Sequence, residues 1–197
     1  LKQLILKDFI IQWKFLMWYI LYPILFYMAL KDTGNIFIIM SVIFTVMATI
    51  KTFEADGKNE SEVIVNSLPM VKKEIVFAKY VVSIIILFIS VSIGCFTMVM
   101  KNGTNISEFI ETTMVTSISF ILVYLSFVLP ISFRLGYKKT IFITIVIFMA
   151  PIVVLEALFQ INLEQIQLYN NVLFISSICM FIVSIFVSVK LYEKKEF

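Results

Sequence analysis

The chain has 197 residues, of which 61% are hydrophobic, 15% aromatic and 15% charged, with a formal net charge of +3 and a mean hydropathy of +1.02. Soluble domains carry about 45–50% apolar and about 25% charged residues, so this composition excludes a soluble enzyme or nucleic-acid-binding module and reads as an all-α integral membrane protein. The sequence contains no His, which removes imidazole acid–base chemistry, Ser–His proteolysis within the bilayer and most zinc sites.

Residues 1–12 mix apolar and polar side chains ahead of the first apolar run. Gln3, Lys7 and Lys14 share one helical stripe by spacing, while Asp8 and Gln12 lie off it. The segment reads either as a flank that orients the first span or as a helix lying in the membrane interface. It does not read as a cleaved signal peptide, because the apolar run is long and lacks a small-residue cleavage site. A hydrocarbon core of about 30 Å needs about 20 apolar residues per helical span. Six apolar runs are read as spans on this basis, 13–30, 36–50, 79–100, 109–129, 140–158 and 172–189, the second being short at 15 residues. Trp13, Trp18, Tyr19 and Tyr22 weight the first half of span one, as expected at headgroup level. Short turns, KDTGN at 31–35 and KNGTN at 101–105, close the first and third spans. Span four is expected to end at Pro130, followed by a basic loop from Ser132 to Lys139. Pro151 invites a kink in span five, and the polar segment 156–171 reads as a re-entrant or interfacial turn. Cys95 and Cys179 fall in separate spans without partner spacing, as packing residues rather than a disulfide or metal pair.

Lysine and arginine set the orientation. With six spans and a cytoplasmic start, 14 of the 16 basic residues lie inside and only Lys31 and Lys101 outside, which places both termini in the cytoplasm under the positive-inside rule. No Asp, Glu, Lys or Arg falls near the middle of a predicted span, although pumps and proton-driven carriers use such residues as relays. No filter-like backbone motif or charged ring suggests a channel, and no repeat relates the two halves as in many secondary transporters. The phosphate-loop pattern is absent too, so the chain has no nucleotide site of the usual kind and no catalytic motif.

The polar stretch 51–78, between spans two and three, is where a soluble partner would take hold. Asn59 and Glu62 form a capping-box pair, predicting a short helix over Glu60–Leu68 that Pro69 stops. A loop present only to fix topology would not contain VIVNSLPMV, and apolar residues facing cytosol mark a contact surface. The run NSLPMVKKEIVFAKY at Asn66–Tyr80 resembles the signature of ABC-2 type permeases, the six-helix membrane subunits of bacterial ABC exporters. The opening LKDFIIQWKFLMWYILYPILF is similar to that family's start, with an acidic residue after Lys7 and a Tyr22-Pro23 pair in span one. The short chain and its Ile/Lys/Asn-rich style look most like staphylococcal exporters of phenol-soluble modulins.

The resemblance implies two permeases paired in the plasma membrane of a bacterium over two ABC ATPase subunits, with ATP and Mg bound by the ATPases and no cofactor in this chain. It makes the 60–68 helix a coupling helix seated in an ATPase groove. The implied contacts are Glu60, Glu62, Val63, Ile64, Asn66, Ser67 and Leu68, with Lys72, Lys73 and Glu74 at the adjoining corner. The spans offer hydroxyl, aromatic and Met side chains rather than fixed charges, which suits an amphipathic peptide or other hydrophobic cargo. The candidate path residues are Thr45, Thr49, Ser83, Ser90, Thr113, Ser117 and Tyr124. The alternative use of the same loop is a non-transporting membrane scaffold or immunity subunit that holds a cytoplasmic partner.

Overall fold

The computed structural model describes residues 2–13, 21, 34–58, 71–102, 113–154 and 170–194. Their regular structure is helical: α1 (2–13), α2 (Gly34–Lys58), α3 (Lys72–Asn102), α4 (Val115–Val154) and α5 (Asn170–Glu193). Among the described residues three segments are long and apolar enough to cross a membrane, Lys72–Ile93, Val115–Gly136 and Asn171–Glu193. Helices suit this setting because each satisfies its own backbone hydrogen bonds, which lipid cannot do. Of the expected first span, only Trp13 and Leu21 lie among the described residues.

Side-chain contacts define the packing. Thr45 of α2 meets Ser90 of α3, and Lys79 of α3 reaches the carbonyl of Thr52, so these two helices run antiparallel. Lys72 donates to the Glu193 carbonyl at 3.2 Å, and Tyr80 bridges Ser184 and Ser188, which sets α5 antiparallel to α3. The Lys72 bond also brings a cation to the negative end of the α5 dipole. α1 lies against the second half of α2, Lys7 beside Asp56 and Gln12 on the Ala48 carbonyl. The core common to these elements holds Val76, Tyr80, Ile121, Leu125, Leu129 and Phe133. α5 commits a single stripe to it, through Ser177, Phe181, Ser184, Ser188 and Tyr192, and leaves Ile175, Val183 and Phe186 exposed. In a bilayer that outer surface is matched by acyl chains.

Two expectations from the sequence change here. α2 continues through Lys51–Lys58, which the apolar pattern had assigned to the polar connection. Lys51 pairs with Glu54 one turn on at 2.6 Å, and Asp56 is held by two lysines, so the charged residues extend the helix beyond the apolar run. Nor does the fourth helix stop at Pro130. Pro130 is buried inside α4, and helical structure occupies most of the expected Ser132–Lys139 loop.

The break comes at Gly136, with φ 73° and ψ 171°, a region open almost solely to glycine. Tyr124 donates to the Thr144 carbonyl at 2.7 Å. Twenty residues of straight helix would separate that pair by about 30 Å. The two halves of α4 therefore fold back on each other as an antiparallel hairpin about Gly136. A Cβ there would meet nothing within 4 Å, so the requirement for glycine lies in the backbone alone. Gly136→Ala should cost about 1–3 kcal/mol, read as a lowered unfolding temperature in detergent. An unchanged temperature would show that the hairpin does not depend on this dihedral.

Candidate functional site

α3 has 31 residues. Its first half carries Lys79, on the same end of the bundle as Lys7, Lys72 and Lys190. Here α1, α2 and α3 bring together two lysines and two aspartates that are far apart in sequence.

Lys79 is 5% exposed and Asp8 1%. The Lys79 ammonium lies 3.0 Å from Asp8, 2.5 Å from Asp56 and 3.3 Å from the Thr52 carbonyl. An ammonium has three donors, and these three acceptors take them all. Its charge also sits 5.0 Å from the centre of the Phe53 ring, a cation–π contact. Lys7 lies 2.5 Å from Asp56 and 3.6 Å from Asp8. The quartet carries no net charge, a condition for burying ions whose desolvation costs several kcal/mol each.

The two carboxyls are held differently. Burial pushes Asp8 above the ordinary carboxylate value, with Asp56 adding to the rise and the lysines only partly opposing it. Burial also acts upward on Asp56, but the Lys79 charge and the Lys7 hydrogen bond outweigh it and hold that carboxyl below its ordinary value. For Lys7, burial acts downward and is overcome by Asp56 and then Asp8, so its ammonium persists to higher pH than usual. A row of edge-on rings frames the cluster, Phe53 against Phe133 at 5.1 Å and Phe133 against Tyr192 at 5.3 Å. The quartet and this row line a cleft of about 70 Å³ with Leu4, Gly57, Ile75, Ala78, Ser132 and Gly136. Among the described residues no group of His, Cys, Asp or Glu could hold a metal ion. Fully paired charges fasten helices together; they leave no free acid, base or nucleophile.

The sequence-predicted partner contacts Glu60, Glu62, Val63, Ile64, Asn66, Ser67 and Leu68 lie outside the described residues. Lys72, Lys73 and Glu74 form the first turn of α3, opened by a bond from the Glu74 amide to the Val71 carbonyl at 2.8 Å; Lys73 and Glu74 are exposed. Thr45, Thr49, Ser83, Ser90, Thr113 and Ser117 are buried. Thr45 bonds to the Ser41 carbonyl and to Ser90; Thr49, Ser83, Ser90 and Ser117 each bond to a carbonyl one turn back in their own helix.

The quartet itself was not anticipated from the sequence. Its signal was the placing of Asp8 and Gln12, four apart, off the polar stripe of the first helix. Lys7-Asp8 and Lys79-Tyr80 sit in the two motifs that carried the family resemblance, and the fold brings those motifs into contact.

A family model described as ABC-2 family transporter protein matches residues 3–193. No curated protein and no solved structure matches the chain. The likeness to phenol-soluble-modulin exporters is not supported by these comparisons, which reach the permease family and stop there.

The unequal carboxyls give a pH test. Asp56, held below its ordinary 3.8, stabilises the fold above that value, and the contribution is lost as pH falls through its lower folded value. Asp8, held above 3.8, opposes folding when ionised, and acid relieves that cost first. At neutral pH Asp56→Asn should therefore destabilise by on the order of 3 kcal/mol and Asp8→Asn by clearly less. Unfolding temperatures measured from neutral pH into acid should fall more steeply in the wild type than in Asp56→Asn, and most steeply in Asp8→Asn, which lacks the carboxyl whose protonation relieves the fold. Equal costs for the two substitutions would refute the assignment.

Proposed function

The chain belongs to the ABC-2 family of transporter proteins, and on that premise we propose that it is the permease of an ATP-driven exporter carrying an amphipathic peptide or hydrophobic cargo out of a bacterial cell. Membership makes it a membrane component of an ABC transporter, with ATP hydrolysis in a separate subunit. The observation that carries the reading is the extent of the match, residues 3–193 of 197.

In this reading the Glu60–Leu68 segment is the coupling helix. Glu60, Glu62, Val63, Ile64, Asn66, Ser67 and Leu68 meet the ATPase, and Lys72, Lys73 and Glu74 form the corner leading into α3. Driving a two-state gate from 1:99 to 99:1 takes about 5.5 kcal/mol of differential binding, so the lever must be stiff. The ends of α2 and α3 on either side of the segment are joined by the Asp56–Lys79 ion pair, which supports that requirement. A second permease completes the pore, and cargo passes along the hydroxyl-bearing seam of Thr45, Thr49, Ser83, Ser90, Thr113, Ser117 and Tyr124 when the helices part. The ATPases supply ATP and Mg.

Purification from native membranes in mild detergent, with mass spectrometry of the bound proteins, tests this reading. A phosphate-loop ATPase should accompany the wild type and be lost from a Glu62→Lys, Ile64→Asp variant. If no ATPase accompanies the wild type, the exporter reading fails. If the variant keeps it, the coupling site lies elsewhere.

A further inference from the structure

The turn of the α4 hairpin gathers cations. Arg134 closes the first arm, Lys138 and Lys139 open the second, and all three are exposed. The chain has no Asp or Glu between Glu111 and Glu156, so neither arm brings a counter-charge of its own. Thr140 donates to the Gly136 carbonyl at 2.7 Å, which puts Gly136 at the start of the second arm, and glycine offers no side-chain acceptor to cap it. Lysines in a first turn also stand where the helix dipole is already positive. In the helix alone this placement is a cost. Phe142, 71% exposed, and Val146, 49% exposed, follow Lys139 by three and seven residues on one ridge of the second arm. Positive charge at one end of an apolar ridge is complementary to a phospholipid of negative headgroup.

We propose that the hairpin turn binds an anionic phospholipid, its phosphate held by Arg134, Lys138 and Lys139 and its acyl chains laid along Phe142 and Val146. A phosphate takes Arg as a fork and Lys as a point charge, and basic clusters beside apolar segments attract acidic headgroups. The turn is placed for this. The three segments able to cross a membrane each have an end at this point, since Lys72 donates to the Glu193 carbonyl and Gly136 lines the cleft with Ile75 and Tyr192. An acidic surface on a partner protein would meet the cations but not the ridge, which runs on into the uncharged stretch 140–155. A second copy of this chain would set the same cations against one another.

The chain has two tryptophans, so Phe142→Trp with Trp13→Phe and Trp18→Phe puts a single reporter on the ridge. The full chain is reconstituted into vesicles of phosphatidylcholine and phosphatidylglycerol, with bromine on the acyl chains of one lipid or the other. At low salt and equal mole fraction, quenching should report a preference for phosphatidylglycerol of about fivefold or more. Arg134→Gln, Lys138→Gln and Lys139→Gln together should bring that preference close to unity. Lys190→Gln with Lys194→Gln, on α5, should leave it in place. Equal quenching by both lipids would mean that no headgroup is selected, and no quenching by either would mean that protein covers the ridge. An equal fall in the α5 variant would mean that net charge alone attracts the lipid. Each of these three results overturns the proposal. Native mass spectrometry of the wild type released from the same mixture gives a second measurement that keeps both tryptophans. Phosphatidylglycerol should be retained over phosphatidylcholine, several-fold less so once the three cations are replaced; retention that ignores their replacement counts against the site.

Discussion

Four charges that cancel hold one end of this protein together. Lys79 is buried with all three of its donors satisfied, by Asp8 from α1 and by Asp56 and the Thr52 carbonyl from α2. Each contact constrains a different neighbour: Asp56 and Thr52 set the register of α2 against α3, and Asp8 sets the roll of α1. Lys7 completes the balance, without which the two carboxylates would share one ammonium in a poorly solvated site. Removing Asp56 leaves the buried Lys79 ammonium undercompensated, and breaking a buried pair in this way costs far more than the intact pair contributes. The quartet therefore specifies an arrangement more than it adds stability.

Farther into the bundle the forces are different. Acyl chains are as apolar as leucine, so helices in lipid associate through close packing and hydrogen bonds rather than through expulsion of water. The buried hydroxyls fit this. Thr45 with Ser90 links α2 to α3, and Tyr80 with Ser184 and Ser188 links α3 to α5. Such bonds average about 0.6 kcal/mol in membrane proteins, so they align helices without locking them. A transporter requires that combination: helices able to separate at depth, joined to a rigid assembly at one end. The aromatic row from Phe53 through Phe133 to Tyr192 extends that assembly across α2, α4 and α5.

The α4 hairpin shows how little chain is needed to reverse direction. One glycine at positive φ, with helix on both sides, replaces a loop of several residues. Its position beside the quartet, lining the same cleft, brings the turn into the rigid end. There Gly136 lines the same cleft as Gly57 and Ile75, near the helix ends that flank the proposed coupling segment.

Composition and apolar periodicity were enough to establish a helical membrane protein, because the bilayer demands about 20 apolar residues per span whatever the neighbours are. The motifs at Asn66–Tyr80 and Leu6–Phe26 were enough to suggest the permease family, since both are contiguous in the chain. Pairing was not legible. Asp8 and Lys79 are 71 residues apart, and nothing in either local pattern says that one neutralises the other. The same limit hid the end of α2, where charges that read as solvated loop are helical because partners on α1 and α3 hold them. It hid the turn at Gly136 as well, since Pro130 is the stronger local stop signal and packing carried the helix past it. Local sequence determines which segments are helical and apolar. Which polar groups are buried, and which face of the first helix remains outward, is decided only when distant charges meet.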